Sequence, residues 1–164
     1  MKKYELVKDD KINICGIELF RIKSLIKFSA AGGEELGGYI EKENNLDQNG
    51  NAWVSRNARV FGNAWVSGDA EVSGNARVFG NAWVSGDAEV SRDAEVTKSN
   101  DLIVIGPIGS RNDKITLTFS NGKVSIGCFY GTLDQLEQAA TKNNRQDYLD
   151  ILPGLRAILK RRLM

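Results

Sequence analysis

Small and β-branched apolar residues recur every six positions through the middle of the chain. Alanine returns from Ala52 to Ala94, and a valine stands two residues after each alanine, from Val54 to Val96. Residues two apart point to the same side of a strand, so alanine and valine face one way and the residue between them faces the other. Gly, Asn, Asp and Arg separate these units, and Gly, Asn and Asp tolerate the positive φ of a sharp corner. Each hexad therefore predicts one short strand followed by one corner.

A second repeat of eighteen residues is superimposed on the hexads. The sequence GNAWVSGDAEVS begins at Gly62 and again at Gly80. Three strands and three corners close one triangular coil, and successive coils hydrogen-bond edge to edge as a parallel stack. The predicted coils are 44–61, 62–79 and 80–97. Ile40, Leu46 and Ala52 continue the six-residue step toward the N-terminus.

The segments on either side of the array have different patterns. Residues 1–36 predict an N-terminal β cap of short strands, YELV, KINIC and IELFRIKSL, broken at Asp9-Asp10 and at Gly16. The glycine-rich AAGGEELGG is expected to be a loop entering the solenoid, which we assign to residues 37–106. An open solenoid end exposes unpaired backbone, so a cap is required there.

Residues 107–164 predict a C-terminal hairpin and helical cap. DLIVIGPIG, at residues 101–109, is expected to form a final partial coil. ITLTFSNGKVSIGCF predicts a hairpin turning at Asn121-Gly122. Thr132 and Gln135 form a capping-box pattern ahead of an apolar stripe at Leu133, Leu136 and Ala140. The last helical turns are expected to be interrupted at Pro153-Gly154.

The Val-Ser-Gly-Asn-Ala-Trp frame resembles the hexapeptide repeat of left-handed parallel β-helices. Together with LGGYIEKENNL and IGCFYGTLDQLEQA, the order of parts is similar to a widespread group of phage and bacterial repeat proteins, mostly of unassigned function. The resemblance implies a mainly β fold, a phage or mobile-element setting, and a homotrimer packed side by side along the prism axis. It implies architecture more than chemistry.

Function in such a fold must lie on the outward positions, because the inward ones are Ala and Val. Stacking the coils gives columns of outward residues: Trp53, Glu71 and Glu89; Arg59, Arg77 and Glu95; Trp65 and Trp83; and Phe61 and Phe79. Exposed aromatic patches of this size need a partner. Aromatics and arginine are enriched at protein interfaces, and they also stack on bases and bind phosphates. The candidate ligand-binding or oligomer-interface residues are therefore Arg59, Phe61, Trp65, Arg77, Phe79 and Trp83.

Composition narrows the classes of function further. The chain of 164 residues has a net charge of +1 and no histidine, which removes the commonest general base and metal ligand. Cys15 and Cys128 have no metal or disulfide spacing and are expected to be buried, reduced thiols. No metal, cofactor, membrane, DNA or RNA partner is expected, and we expect a cytoplasmic location, in the host cell if the protein is phage-encoded.

Three functional hypotheses follow. The first is a non-catalytic oligomer that sequesters a small nucleotide-like anion, such as a host defence signal, at protomer boundaries. The second is a CoA-dependent acyltransferase, which the resemblance invites but which typically needs the missing histidine. The third is a purely structural or protein-partner role.

Overall fold

The computed structural model describes residues 2–26 and 36–164. The chain divides into two compact units, 1–100 and 101–164. The first is a left-handed parallel β-solenoid of about three turns with a β-hairpin at its N-terminal end, and the second carries the helices. The predicted fold class, including the 18-residue coil, is confirmed. Most of the predicted AAGGEELGG loop lies outside the described residues.

Three parallel columns of short strands form the walls of the solenoid. One column contains β4, β7 and β10, a second contains β5, β8 and β11, and a third contains β6 and β9. Partners in a column are eighteen residues apart, as in the pairs Trp53↔Glu71 and Trp65↔Trp83. The strands are β4 (Trp53–Val54), β5 (Arg59–Val60), β6 (Trp65–Val66), β7 (Glu71–Val72), β8 (Arg77–Asn81), β9 (Trp83–Val84), β10 (Glu89–Val90) and β11 (Glu95–Lys98).

The core of the solenoid is the stack of alanines and valines that the hexads predict. All eight alanines from Ala52 to Ala94 and all eight valines from Val54 to Val96 have at most 1% of their surface exposed. The outward residue between each pair is free to vary, because it makes no part of this core. The interior is therefore filled by side chains, without room for a ligand along the axis.

Most corners of the solenoid contain a glycine with positive φ. Arg56 and Arg92 occupy the same conformation with φ of 58° and 56°, so a side chain is tolerated at some corners. Other corners have no space for a side chain, because the next coil lies directly against them. A Cβ on Gly68 would lie 2.9 Å from the backbone nitrogen of Gly86, whereas a Cβ on Gly86 would meet nothing within 4 Å. The glycine of a covered corner is thus constrained twice, by its φ and by the coil above it.

We expect Gly68→Ala to destabilise the protein by about 1–3 kcal/mol more than Gly86→Ala, because only the former forces backbone apart. Both variants share the left-handed strain of about 1–2 kcal/mol, so the difference isolates the steric contact. Urea unfolding of the two variants measures it. Equal losses of stability would show that stacking does not constrain the corner.

The N-terminal hairpin extends one wall of the solenoid as a sheet. Strands β1 (Tyr4–Ile14) and β2 (Ile17–Ser24) are antiparallel, β2 pairs with β3 (Leu36–Ile40), and β3 pairs in parallel with β5. The break expected at Asp9-Asp10 is wrong: β1 continues through it, with a register shift between Val7 and Lys11. The local irregularity in pairing accommodates Asp9 and Asp10 without ending the strand.

The first coil is longer than the others, which the sequence did not predict. Ile40 pairs with Val60 and Leu46 with Val66, twenty residues apart in each case. The six-residue step therefore fails between Leu46 and Ala52, after a short 3₁₀ helix at Glu43–Asn45. The widened corner places Gln48 where its Oε1 accepts hydrogen bonds from the backbone nitrogens of Lys3 (2.8 Å) and Tyr4 (3.4 Å). The extra residues bind the start of the chain to the solenoid.

Lys3 and Tyr4 fasten the hairpin to this first coil. The Lys3 side chain is buried, and its Nζ donates to the carbonyl of Ala52 at 2.8 Å. Tyr4 is fully buried, and its hydroxyl donates to the carbonyl of Leu46 at 2.7 Å. Burial lowers the pKa of Lys3 to about 8, partly opposed by Asp47, and burial raises the pKa of Tyr4.

The lowered pKa of Lys3 makes stability depend on pH. Between pH 8 and about 10.5 the unfolded chain keeps the Lys3 proton that the folded chain has lost, so stability should rise with pH over this interval. The rise is at most about 3 kcal/mol, at about 1.4 kcal/mol per unit. Above pH 10 the raised pKa of Tyr4 acts in the opposite direction.

Urea unfolding between pH 8 and 10 tests this dependence. Lys3→Met, which keeps the aliphatic stem, should abolish the rise in stability. Lys2→Met is the matched control, because Lys2 is an exposed lysine paired with Glu43, and it should leave the rise unchanged. A rise that survives in Lys3→Met would contradict the assignment.

The C-terminal unit is an antiparallel sheet with two helices packed on it. The sheet order is β12-β13-β14-β15, and the turn at Asn121-Gly122 joins β13 to β14 as predicted. Its core contains Ile115, Leu117, Leu136 and Leu152. The elements are β12 (Leu102–Ile108), β13 (Asp113–Thr118), β14 (Lys123–Ile126), β15 (Phe129–Thr132), α1 (Leu133–Lys142) and α2 (Gln146–Leu163).

Two expectations for this unit are wrong. DLIVIGPIG is not a partial coil: it contains β12, which pairs antiparallel with β13, so residues 102–106 lie outside the solenoid. The helix is not interrupted at Pro153-Gly154, because α2 runs through both. Pro153 is exposed, while Leu152 and Leu155 beside it are buried against the core, and this burial outweighs the missing hydrogen bond.

The predicted capping box is present at the start of α1, whereas the predicted burial of the two cysteines is not observed. The capping box is confirmed: Gln135 donates from its backbone to Thr132 Oγ1 at 3.2 Å, and Thr132 donates to Gln135 Oε1 at 2.9 Å. The expectation of buried thiols is wrong, since Cys15 and Cys128 are free and exposed. Both lie in turns between paired strands, where the strand-like sequence around them gave no sign of exposure.

Candidate functional site

The two arginines of the candidate site lie in one column of the solenoid wall. Tyr39, Arg59, Arg77 and Glu95 are successive partners along β3, β5, β8 and β11. The order Arg59, Arg77, Glu95 was expected from the repeat, whereas Tyr39 beneath them was not. Backbone hydrogen bonds, such as Arg59 N to the carbonyl of Ala76 at 2.9 Å, set the vertical spacing.

The charges of this column are incompletely paired. Arg77 approaches Glu95 at 3.8 Å, a long ion pair between exposed side chains. Arg59 is half-buried, and its Nε is buried without a hydrogen-bond partner among the described residues. At the base of the column, Arg21 stacks on the Tyr39 ring at 4.3 Å and donates to the Tyr39 hydroxyl, and its charge is paired with Asp10 at 2.8 Å. A buried donor without an acceptor costs about 1–3 kcal/mol.

The phenylalanines and tryptophans that follow the two arginines in sequence form two stacked pairs. Phe61 and Phe79 are parallel within 1°, with ring centroids 4.9 Å apart. Trp65 and Trp83 are tilted by 34°, with centroids 5.1 Å apart, and are 39% and 52% exposed. Trp83 Nε1 donates weakly to Ser67 Oγ at 3.5 Å. We call the six residues Arg59, Phe61, Trp65, Arg77, Phe79 and Trp83 the arginine–aromatic corner.

Trp53 differs from the other two tryptophans. It is only 3% exposed, because Tyr4 of the N-terminal hairpin packs edge-on against it with centroids 6.3 Å apart. The repeat placed Trp53 correctly in a column with Glu71 and Glu89 but gave no sign of this cover. The cap residues Lys3, Tyr4 and Gln48 were missed, because no local pattern distinguishes them from ordinary surface positions.

The two glutamates above Trp53 stack as like charges. Burial, and then the neighbouring Glu71, raise the pKa of Glu89. The folded protein therefore holds the Glu89 proton to higher pH than the unfolded chain does, and stability falls as pH rises through that interval. This column consequently weakens the solenoid at neutral pH.

The described residues contain no candidate metal centre. Within residues 2–26 and 36–164, no group of three Cys, Asp or Glu side chains is arranged to hold a metal ion. None of the helices in those ranges is long and apolar enough to cross a membrane.

These features define the class of protein: the chain is a parallel β-helix repeat protein. Residues 70–86 match the family described as YdcK Beta solenoid repeat, and this segment runs from the alanine before β7 to the corner after β9. No curated protein matches the chain. The similarity covers part of the solenoid.

We expect Glu71→Gln to lower the pKa of Glu89 part of the way to its ordinary value, because burial remains while the adjacent charge is removed. A carbon-detected NMR titration of the Glu89 carboxyl measures the change. Glu95→Gln, in a different column, should leave it unaltered. An unchanged Glu89 titration in Glu71→Gln would contradict the stacking of the two carboxylates.

Proposed function

We propose that the protein is a non-catalytic binding protein whose copies pack side by side, as a homotrimer, through the arginine–aromatic corner. A small nucleotide-like anion is then held at the boundary between protomers. In a phage setting the protein would sequester such a signal in the host cytoplasm. The observation that carries this proposal is the buried Nε of Arg59, which has no hydrogen-bond partner in residues 2–26 and 36–164 and lies in a column with a second arginine.

The electrostatics of the column favour an anion. Arg59 and Arg77 are ladder partners, which places their backbones roughly 4.8 Å apart. Two arginines and the one glutamate that pairs with Arg77 at 3.8 Å leave this column with net positive charge. A phosphate could accept hydrogen bonds from both, and it would satisfy the Arg59 donor that the described part of the chain leaves unpaired.

The aromatic residues favour both a partner and a planar ligand. An isolated protomer exposes two stacked indoles and half-buried phenylalanines, and covering that area stabilises an assembly. Base stacking on an aromatic ring is worth about 1–3 kcal/mol. The rings are held by the solenoid backbone, so little conformational entropy is lost on binding.

Light scattering on size-separated protein tests the assembly. The wild type should have the mass of a trimer, and Phe79→Asp should be a monomer with an unchanged circular dichroism spectrum. Ser73→Asp is the matched control, since Ser73 also follows an inward valine but at a different corner. A monomeric wild type, or equal effects of the two variants, would contradict the side-by-side contact.

Nucleotide binding is tested with adenosine and guanosine mono-, di- and cyclic dinucleotides by native mass spectrometry and tryptophan fluorescence. Arg59→Gln should weaken the best binder by about 10–100-fold, as expected for charge-assisted hydrogen bonds. If the wild-type trimer binds none of them, the nucleotide part of the proposal is wrong and the contact alone stands. Sustained turnover of acetyl-CoA with a panel of amines would contradict the non-catalytic assignment.

A further inference from the structure

The C-terminal unit contains a cleft that the proposed function does not use. Its volume is about 590 Å³, and it lies among the β14–β15 turn, helix α1 and the start of helix α2. Small-molecule sites commonly occupy about 300–1,000 Å³. Much of the lining comes from the segment IGCFYGTLDQLEQA, which the solenoid repeat does not explain.

One side of the cleft is apolar. Ile126 and Phe129 contribute from the ends of β14 and β15, and Leu136, Ala139 and Ala140 contribute from α1. Phe129 and Ala139 are each partly exposed, so the wall is not closed over by the unit itself. An apolar ligand body would cover this surface and gain free energy from its burial.

The other side of the cleft is polar and built around Arg145. Arg145 donates to Asp147 at 2.7 and 3.0 Å and to Asp113 at 3.1 Å, and its guanidinium lies 4.0 Å from the Tyr148 ring centre. Tyr148 also donates its hydroxyl to Asp113. Two carboxylates therefore neutralise and fix Arg145, leaving its Nη1 without a partner among the described residues.

Arg111 is the second cation of the cleft, and it interacts electrostatically with the Asp113 carboxylate. It lies in the turn between β12 and β13, is exposed, and makes no hydrogen bond or ion pair within the described part of the chain. A guanidinium at the rim of an apolar cleft favours an anionic head group. Asn143 adds an amide to the same rim.

We propose that this cleft binds a small amphipathic carboxylate, with its apolar body against Phe129 and Ala139 and its head group on Arg111. The site lies wholly within residues 101–164, so it stands or fails independently of the arginine–aromatic corner. Aromatic acids and medium-chain fatty acids share this chemistry, and two probes distinguish them.

Calorimetric titration of the full chain uses 1-naphthoate, octanoate and the neutral 1-naphthalenemethanol. At least one carboxylate should bind, and 1-naphthoate should bind at least about tenfold tighter than the alcohol, because the charged head gains hydrogen bonds to arginine. The carboxylate that binds with the higher affinity shows whether the apolar body of the ligand is aromatic or aliphatic. Equal affinity of 1-naphthoate and the alcohol would overturn the assignment of an anion site.

Two variants assign the site within the cleft. Arg111→Gln should weaken carboxylate binding about tenfold and leave the alcohol unchanged, whereas Arg161→Gln, an exposed arginine outside the cleft, should change neither. Ala139→Leu should weaken all probes by filling the apolar side. Ala139 is partly exposed, so the larger side chain does not need to enter the core.

The two exposed cysteines provide a second readout with an internal control. Cys128 borders the cleft, and Cys15 lies in the β1–β2 turn of the other unit. Bound carboxylate should slow alkylation of Cys128 by iodoacetamide, measured in Cys15→Ser, and should not slow alkylation of Cys15, measured in Cys128→Ser. Absence of binding by both carboxylates, or equal protection of the two thiols, would overturn the proposal.

Discussion

The stacking of coils at a fixed vertical spacing is the constraint on which the solenoid depends. Each coil donates its backbone N–H groups to the carbonyls of the coil eighteen residues later, as from Trp53 N to Ala70 O and from Trp65 N to Ala82 O. This register forces equivalent side chains into columns. It gives the protein an interior filled by alanine and valine. On the outer surface, each residue lies next to its equivalent in the neighbouring coil.

The columns have different physical consequences on different walls. Stacked phenylalanines gain contact and stacked glutamates repel each other. The two stacked arginines share one glutamate, so their column keeps a net positive charge. At the arginine–aromatic corner, an outside partner would cover exposed rings and would bind a donor that has no acceptor among the residues that the structure describes. The repeat creates this surface, because arginine, phenylalanine and tryptophan each occupy the same position in two successive coils.

Sequence alone predicted what depends on the repeat and missed what depends on its ends. The inward Ala and Val rows, the outward columns and the eighteen-residue coil follow from periodicity and were all predicted. The two extra residues before Ala52, the burial of Trp53 by Tyr4 and the docking of Lys3 follow from contacts between distant segments. No local pattern encodes those contacts. In the C-terminal unit, Pro153 illustrates the same limit, because tertiary burial of its neighbours overrides the local preference against a helix.

The central claim is that the arginine–aromatic corner is covered in the assembled protein. Acrylamide quenching of tryptophan fluorescence in Trp53→Phe, which retains only Trp65 and Trp83, tests it most directly. The account predicts weak quenching of this protein and strong quenching once Phe79→Asp is added. Equally strong quenching with and without Phe79→Asp, at every protein concentration, would show that both indoles remain in water and would contradict the account.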